Sequence, residues 1–487
     1  MMNMNMSGVQ LPTHRGLYYG GAWHEPKGGY ADTFSPSTGE NLGRAAVANA
    51  EDVAAAVEAA HAAYRQWSQQ PPSIRGAALR EVAAILRANK EELARLDAIN
   101  CGNPVTALMR DVDIAAQLVE YFAGLVYELR GSTIPMGEGV VNMTIREPYG
   151  VCARIVAYNH PIMFTASRFA APVAAGNAVI MKPPVQAPLS AYRLAELVDG
   201  IFPAGIFNVL SGDRECGEAL VQHPLVPRIT LIGSIPTGRA ITRAAADQLK
   251  NVSLELGGKN ALIIYPDADI ERAIAGAVKG MAFAWCGQAC SSTTRLFLHE
   301  DIYDEVLEGV LEGIKAFRPG DPMNPETSMG AIVSKAQFDK IMEYIEVGKA
   351  EGAKLVAGGK RPDDGNLEQG WFIEPTVFAD VDMSMRIARE EIFGPVLSVI
   401  KWKDEDSMYD EVNSVEYGLA AGIYTTNLAT AHNAASRVEA GYVWINNAVS
   451  HFFPAPFGGF KQSGNNKEES FEELLSYTQQ KNVYITL

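Results

Sequence analysis

The chain has 487 residues, 47% hydrophobic and 20% charged, with a formal net charge of −16; this is enough for two or three packed domains of a soluble globular protein. The acidic balance, with no Lys/Arg cluster to build a positive groove, excludes nucleic acid and anionic membrane as partners and leaves small molecules. The Ala-rich stretch from Phe169 to Met181 is broken by Pro172, Gly176 and Asn177, so no apolar run approaches membrane-spanning length. Five scattered cysteines, at 101, 152, 216, 286 and 290, suit a reducing compartment better than a disulfide framework. The Met/Asn-rich start, Met1 to Met6, lacks the apolar centre of a signal peptide, and a cytoplasmic location is the expectation. Cys286 and Cys290 have no neighbouring His or Cys pair to complete four ligands, so no metal is expected.

The lead contains Gly28-Gly29 and the turn Ser35-Pro36-Ser37-Thr38-Gly39. Residues 51 to 67 then read as a helix, Ala-rich and acidic at the start, with Val53, Val57 and Ala60 on one stripe. The same spacing predicts helices over about 73 to 99 and about 111 to 129, the latter with Ile114, Leu118, Tyr121, Phe122 and Leu125 aligned. Between Arg130 and Tyr149 the pattern turns to Gly/Pro-punctuated alternation, an extended hairpin. From Gly150 a strand–helix rhythm follows. Strands are predicted at Val151 to Tyr158, Ala178 to Lys182, Ile206 to Leu210 and Arg228 to Ile232, with helices at about 162–174, 187–199, 214–222 and 237–248. This is a parallel α/β sheet covered on both faces, and ligands on such sheets bind at the carboxyl ends of the strands.

Those strand ends carry the chemistry. Gly233-Ser234-Ile235-Pro236-Thr237-Gly238 lies where a strand yields to a helix, so main-chain N–H groups and the positive helix end can receive a pyrophosphate, or the glycines can serve the turn alone. Lys182 at another strand end can bond ribose hydroxyls, or be a solvated charge. Further on, Glu255 in Leu254-Glu255-Leu256-Gly257-Gly258-Lys259 precedes Gly287-Gln288-Ala289-Cys290 by a few tens of residues. A cysteine attacks as thiolate, and a nearby carboxylate can act as its base or activate a water. A buried structural cysteine and a salt-bridged glutamate are the plainer readings.

Eight motifs decide between these readings. Tyr158-Asn159-His160-Pro161, Ala175-Gly176-Asn177, Lys182-Pro183-Pro184, Gly233-Ser234, Leu254 to Lys259, Gly287 to Cys290, Glu390-Glu391-Ile392-Phe393-Gly394-Pro395-Val396 and Pro456-Phe457-Gly458-Gly459 occur in this order. The chain thereby resembles the aldehyde dehydrogenase superfamily, essentially over its whole length.

The resemblance implies an NAD(P)-dependent oxidation of a small-molecule aldehyde to the free acid. Cys290 is implied as the nucleophile, Asn159 as the side-chain donor to the oxyanion and Glu255 as the base for hydrolysis, a base that relatives passing the acyl group to coenzyme A usually lack. Glu468 matches an assisting glutamate, although Asn466 and Lys467 stand where the family usually has Gly and Arg. For the coenzyme, the resemblance implies Tyr158, Lys182, Gly233, Ser234 and Gly257, with Glu391 and Phe393 at the nicotinamide ribose. Val185 stands where many NAD-preferring relatives carry a glutamate that repels a 2′-phosphate, so both NAD and NADP are admitted.

The substrate wall is expected from Arg110, Met163, Ser167, His451 and Phe457. Ser167 and Ala284 replace bulky aromatics, giving a roomier, more polar pocket. Arg110 at the mouth suggests a carboxylate-bearing semialdehyde; its alternative role is a surface pair with Asp111 or Asp113. An aromatic or amino aldehyde held by Phe457, His451 and Met163 is the rival substrate, and a non-catalytic binding protein of this family is the rival class. The expected architecture is a Rossmann-type coenzyme domain (1–125 and 149–257), an α/β catalytic domain (258–462) and a β oligomerisation arm with tail (126–148 and 463–487). The arm is expected to pair its hairpin with the C-terminal strand across a dimer, in a homodimer or homotetramer.

Overall fold

A computed structural model describes residues 8–487, so the Met/Asn-rich start lies outside the described residues. Its centre is two seven-stranded sheets. The first runs, in spatial order, Asn251–Leu256, Arg228–Gly233, Val151–Ile155, Ala178–Lys182, Phe207–Val209, Leu17–Tyr19 and Ala22–His24. The first five strands are parallel; four of them correspond to the expected strands, and Asn251–Leu256 adds a fifth at the edge. The lead adds an antiparallel edge pair that the sequence did not announce, because its strands are only three residues long.

Ala178–Lys182 is buried throughout, which is why it reads as a continuous apolar run up to Lys182. The helix Ala50–Trp67 starts from a capping box, with Asn49 accepting from the Asp52 N–H and Asp52 accepting in return. Two expected helices are each split. The helix predicted over 73–99 becomes Pro72–Ala88 and Lys90–Cys101, since the Asn89 side chain donates to the Ile85 carbonyl at 2.8 Å and closes the first. The one predicted over 162–174 becomes Pro161–Ser167 and Ala170–Ala174, because Pro172 cannot donate to the carbonyl four residues back at Arg168. The third helix starts earlier than expected, as Val105–Leu125. Leu79, Val82 and Leu86 share the surrounding core with Leu108, Val112 and Val119, all fully buried; each side chain contributes about 1.5–3 kcal/mol as an upper estimate.

The second sheet runs Lys354–Ala357, Thr376–Ala379, Val396–Trp402, Arg295–His299, Ala261–Ile264, Ala420–Tyr424 and Tyr442–Ile445. All its neighbours are parallel except the first pair. Apolar cores lie on both of its faces. The third sheet orders Thr478–Thr486, Val140–Pro148 and Thr133–Ile134. Its C-terminal strand pairs antiparallel with the hairpin from Thr478 opposite Pro148 to Thr486 opposite Val140. That pairing is made within one chain, so the expected alliance of hairpin and tail needs no second copy.

Candidate active site

A cleft of about 1330 Å³ runs between the two large sheets. At one end it meets Lys182, Val185, Gly233 and Ser234; in the middle Tyr158, Gly257, Glu391 and Phe393; then Cys290, Glu255 and Asn159; and finally Met163, His451, Phe457 and Glu468.

The first end is built from strand termini. Lys182 ends its strand, and burial pushes its ammonium below the usual value while Cys216 and Asp213 pull the other way. Ser234 caps the helix Ile235–Ala246, its side chain accepting from the Thr237 N–H. The helix therefore points its positive end at the cleft, as phosphate binding requires. Val185 is half exposed here, without charge.

In the middle, glycine makes room for carboxylates. A Cβ on Gly257 would lie 2.1 Å from the Glu391 Oε2, and the Gly258 N–H donates to Glu391 Oε1 at 2.9 Å. Burial raises the Glu391 pKa, the Gly258 bond opposing. Lys340 donates to the Glu391 carbonyl, and Gln337 donates to the carbonyls of Ile392 and Phe393. These bonds hold Phe393 at a φ of +57°, a left-handed conformation uncommon for a large side chain, with its ring edge-on to Tyr158 at 5.8 Å. Gly287, at φ +65°, lets the nucleophile's loop approach the same segment: a Cβ there would meet the Gly394 carbonyl at 2.2 Å.

Cys290 is fixed from behind by Asn260, whose Nδ2 donates to the Cys290 carbonyl at 2.7 Å and to that of Ser292 at 2.9 Å. Burial, with the carboxylates Glu391, Glu255 and Glu469, pushes its thiol up to about 12. Glu255 is the penultimate residue of strand Asn251–Leu256, buried, with neither carboxylate oxygen hydrogen-bonded to protein. Its pKa is raised well above the usual range by burial and then by Glu468, against the pull of Lys467 and Arg168. A buried carboxylate left free of partners is available to a proton, which is what a general base needs. Gly458 gives it space: a Cβ there would sit 2.4 Å from Glu255 Oε1. Asn159 is buried at the start of the helix Pro161–Ser167, its carbonyl accepting from Asn103 Nδ2 at 2.9 Å. His160 does not act on the cleft's chemistry as a free base, since its Nδ1 pairs with Asp111 at 2.8 Å.

Beyond Cys290, in the wall and behind it, lie groups that the sequence did not single out. Arg168 and Arg154 are fully buried and face three carboxylates. Arg168 contacts Glu468 at 3.2 Å and Glu469 at 2.8 Å, while Arg154 contacts Glu468 at 3.0 Å and Glu473 at 3.8 Å. Burial opposes the charge on Arg168, but Glu468 and Glu469 more than offset it and raise its pKa. For Glu469, burial likewise works upward, yet His451 and Arg168 bring it down to about 2. One signal was present: Arg168 is the lone charged residue between His160 and Lys182.

Two expectations are corrected. Arg110 is exposed on its helix and lies outside the cleft; Asp111 and Asp113 do not pair with it, being taken by His160 and Lys90. Ser167 is buried without lining the cleft, and its hydroxyl donates to the Met163 carbonyl at 2.6 Å. Its hydroxyl therefore adds no polar contact to the cleft. Cys286, at φ +55°, is a packing residue whose thiol donates to the Ala331 carbonyl.

A family model described as the aldehyde dehydrogenase family matches residues 23–483. An aldehyde dehydrogenase of Talaromyces stipitatus, tropH, is 48% identical over 98% of this chain and 94% of its own length. A betaine aldehyde dehydrogenase of Mesorhizobium japonicum is 43% identical over 92% of both chains. Among solved structures, the NAD+ complex of an aldehyde dehydrogenase from Bacillus cereus superposes with a TM-score of 0.94 at 36% identity, covering 97% of each chain.

Proposed function

The chain belongs to the aldehyde dehydrogenase family, and from that premise we propose that Cys290, Glu255 and Asn159 perform its oxidation of an aldehyde to the carboxylic acid with NAD. The observation that carries this reading is the single cleft that holds a partly exposed thiol and an unpartnered buried carboxylate beside a coenzyme-sized run of strand ends.

The residues present fit the coenzyme. The Ile235–Ala246 helix start and Ser234 would receive its phosphates, Lys182 a ribose hydroxyl, and Glu391 with Phe393 the second ribose, while Tyr158 and Gly257 close the sides. NAD supplies the hydride acceptor when bound. Cys290, as thiolate, adds to the carbonyl carbon, and the Asn159 amide with the Cys290 N–H stabilises the resulting oxyanion. Once the carbon is oxidised, the acyl group remains on sulfur as a thioester. Glu255 then takes a proton from water, whose oxygen attacks the thioester and releases acid and thiol. Glu468, ion-paired to two arginines, orders the polar region behind Glu255.

The domain division given above assigns the first large sheet to coenzyme, the second to the nucleophile, and the small sheet to assembly. Exposed Ile134, Val141, Ile145, Tyr484 and Ile485 on that small sheet support a homodimer or homotetramer. No described helix is long and apolar enough to cross a membrane, and a cytoplasmic location is our reading of five unpaired cysteines. The test is reduction of NAD by purified protein across an aldehyde panel, read by absorbance. Wild type is expected to turn over, and Cys290→Ala to lose at least about 10⁴-fold in rate; failure of every aldehyde with both NAD and NADP would favour a non-catalytic binding protein.

A further inference from the structure

His451 is a cleft residue whose surroundings fix what its free nitrogen can do. Its Nδ1 lies 3.1 Å from Glu469 Oε2, and its ring is 4.3 Å from that of Phe457 at 30°. Glu469 is buried, and its other oxygen accepts from Arg168 Nη2 at 2.8 Å. Its main-chain N–H donates to Glu473, and its φ is +65°, a conformation that a glutamate adopts only when its surroundings demand it. One strained carboxylate thus ties the loop bearing His451 to the residue that follows the Asn159 helix.

A carboxylate only accepts, so the proton of this hydrogen bond belongs to the imidazole Nδ1. In the neutral ring, Nε2 then carries a lone pair and accepts. A substrate anion is poorly matched to this wall, because Arg154 and Arg168 already face Glu468, Glu469 and Glu473. With Arg110 on the exposed surface, the cleft also lacks the cation expected for an acid-bearing aldehyde. The flanking groups are apolar, two of them flat rings: Phe457 beside His451, exposed Phe452 after it, and the thioether of Met163 from the facing helix.

We propose that His451 is the specificity-determining residue, with Glu469 as its positioning residue, and that the preferred substrate is an aromatic aldehyde carrying a neutral hydroxyl, which donates to Nε2. This rests on the aldehyde dehydrogenase reading above and adds the substrate class. It selects the aromatic side of the two expectations drawn from the sequence.

The experiment compares kcat/KM at about neutral pH for meta-hydroxybenzaldehyde, para-(hydroxymethyl)benzaldehyde, benzaldehyde and para-carboxybenzaldehyde, with NAD in excess. Wild type is expected to favour at least one hydroxylated aldehyde over benzaldehyde and to disfavour the carboxylated one. His451→Phe should lower the hydroxylated-to-plain ratio at least about tenfold, the scale of a lost hydrogen bond in the cleft. His451→Gln, which keeps an acceptor, should restore most of the ratio, and Glu469→Gln should give an intermediate value. A ratio that stays within about twofold in His451→Phe, or a wild-type preference for the carboxylated aldehyde, overturns the proposal. If wild type oxidises none of these or any other aldehyde, the failure lies with the enzymatic reading instead; oxidation of aliphatic aldehydes alone overturns only the substrate class.

Discussion

The two ends of the cleft are built by different means. At the coenzyme end, binding groups are strand termini and helix starts: Lys182 closes a strand, Ser234 caps a helix, and Gly257 and Gly258 admit Glu391 by having no side chain. At the aldehyde end the groups are held by one another, with Arg168, Glu468, Glu469 and His451 meeting from segments some three hundred residues apart. A site made from regular backbone tolerates change in the side chains that face the ligand, though not at the glycines that make its room. A site made from a buried charge network does not, because removing one partner leaves another unpaired.

Four experiments would break or sharpen that contrast. The largest effect is expected where the two ends meet, at Glu255. Glu255→Gln should lower steady-state kcat by about 10²- to 10⁴-fold while keeping a burst of about one reduced coenzyme per active site, since acylation survives and hydrolysis does not. Rapid-mixing absorbance checks it, and absence of the burst would move Glu255 to the first half-reaction.

Next is Glu469→Gln, expected to cost about 3 kcal/mol at neutral pH because it removes a buried partner of Arg168. The Glu469 carboxyl is held down at about 2 in the folded protein. Its stabilisation is therefore fully present above the ordinary glutamate range and fades as pH falls through that range toward the folded value. Urea unfolding at several pH values should show the difference between variant and wild type shrinking in acid; a constant difference would mean that Glu469 acts by packing.

The pH profile itself comes third. Cys290 and Glu255 both work as anions, and both are raised, Cys290 to about 12. The rate should climb from neutral into alkaline solution, by at most about tenfold per pH unit for each ionisation, and a plateau from mildly acidic pH upward would contradict it. The smallest effect belongs to the tolerant end. Val185→Glu should cut NADP use by about tenfold with little loss for NAD, through repulsion of the 2′-phosphate; equal effects on the two coenzymes would place Val185 away from the ribose.

Legibility in the sequence follows the same division. Four of the five parallel strands of the first sheet, the hairpin and the tail were readable because burial on two faces or alternation writes itself into neighbouring residues. Lys182, Glu255 and Cys290 were readable because each sits at the end of a regular element or in a short motif. Glu469 was passed over beside Glu468, since nothing local distinguishes a buried glutamate that pairs with Arg168 from a solvated one. Arg110 failed for the converse reason: helical spacing fixes a face, but which face meets the cleft depends on packing by other segments.

Gly257 and Gly458 lie two hundred residues apart, yet each is the floor beneath one of the two carboxylates, Glu391 and Glu255. In a deep mutational survey these two positions would behave as silent partners of the glutamates, rejecting even alanine while Met163 or Phe457 drift with the aldehyde. Their intolerance would be inherited together with the reaction, whatever substrate a descendant came to use.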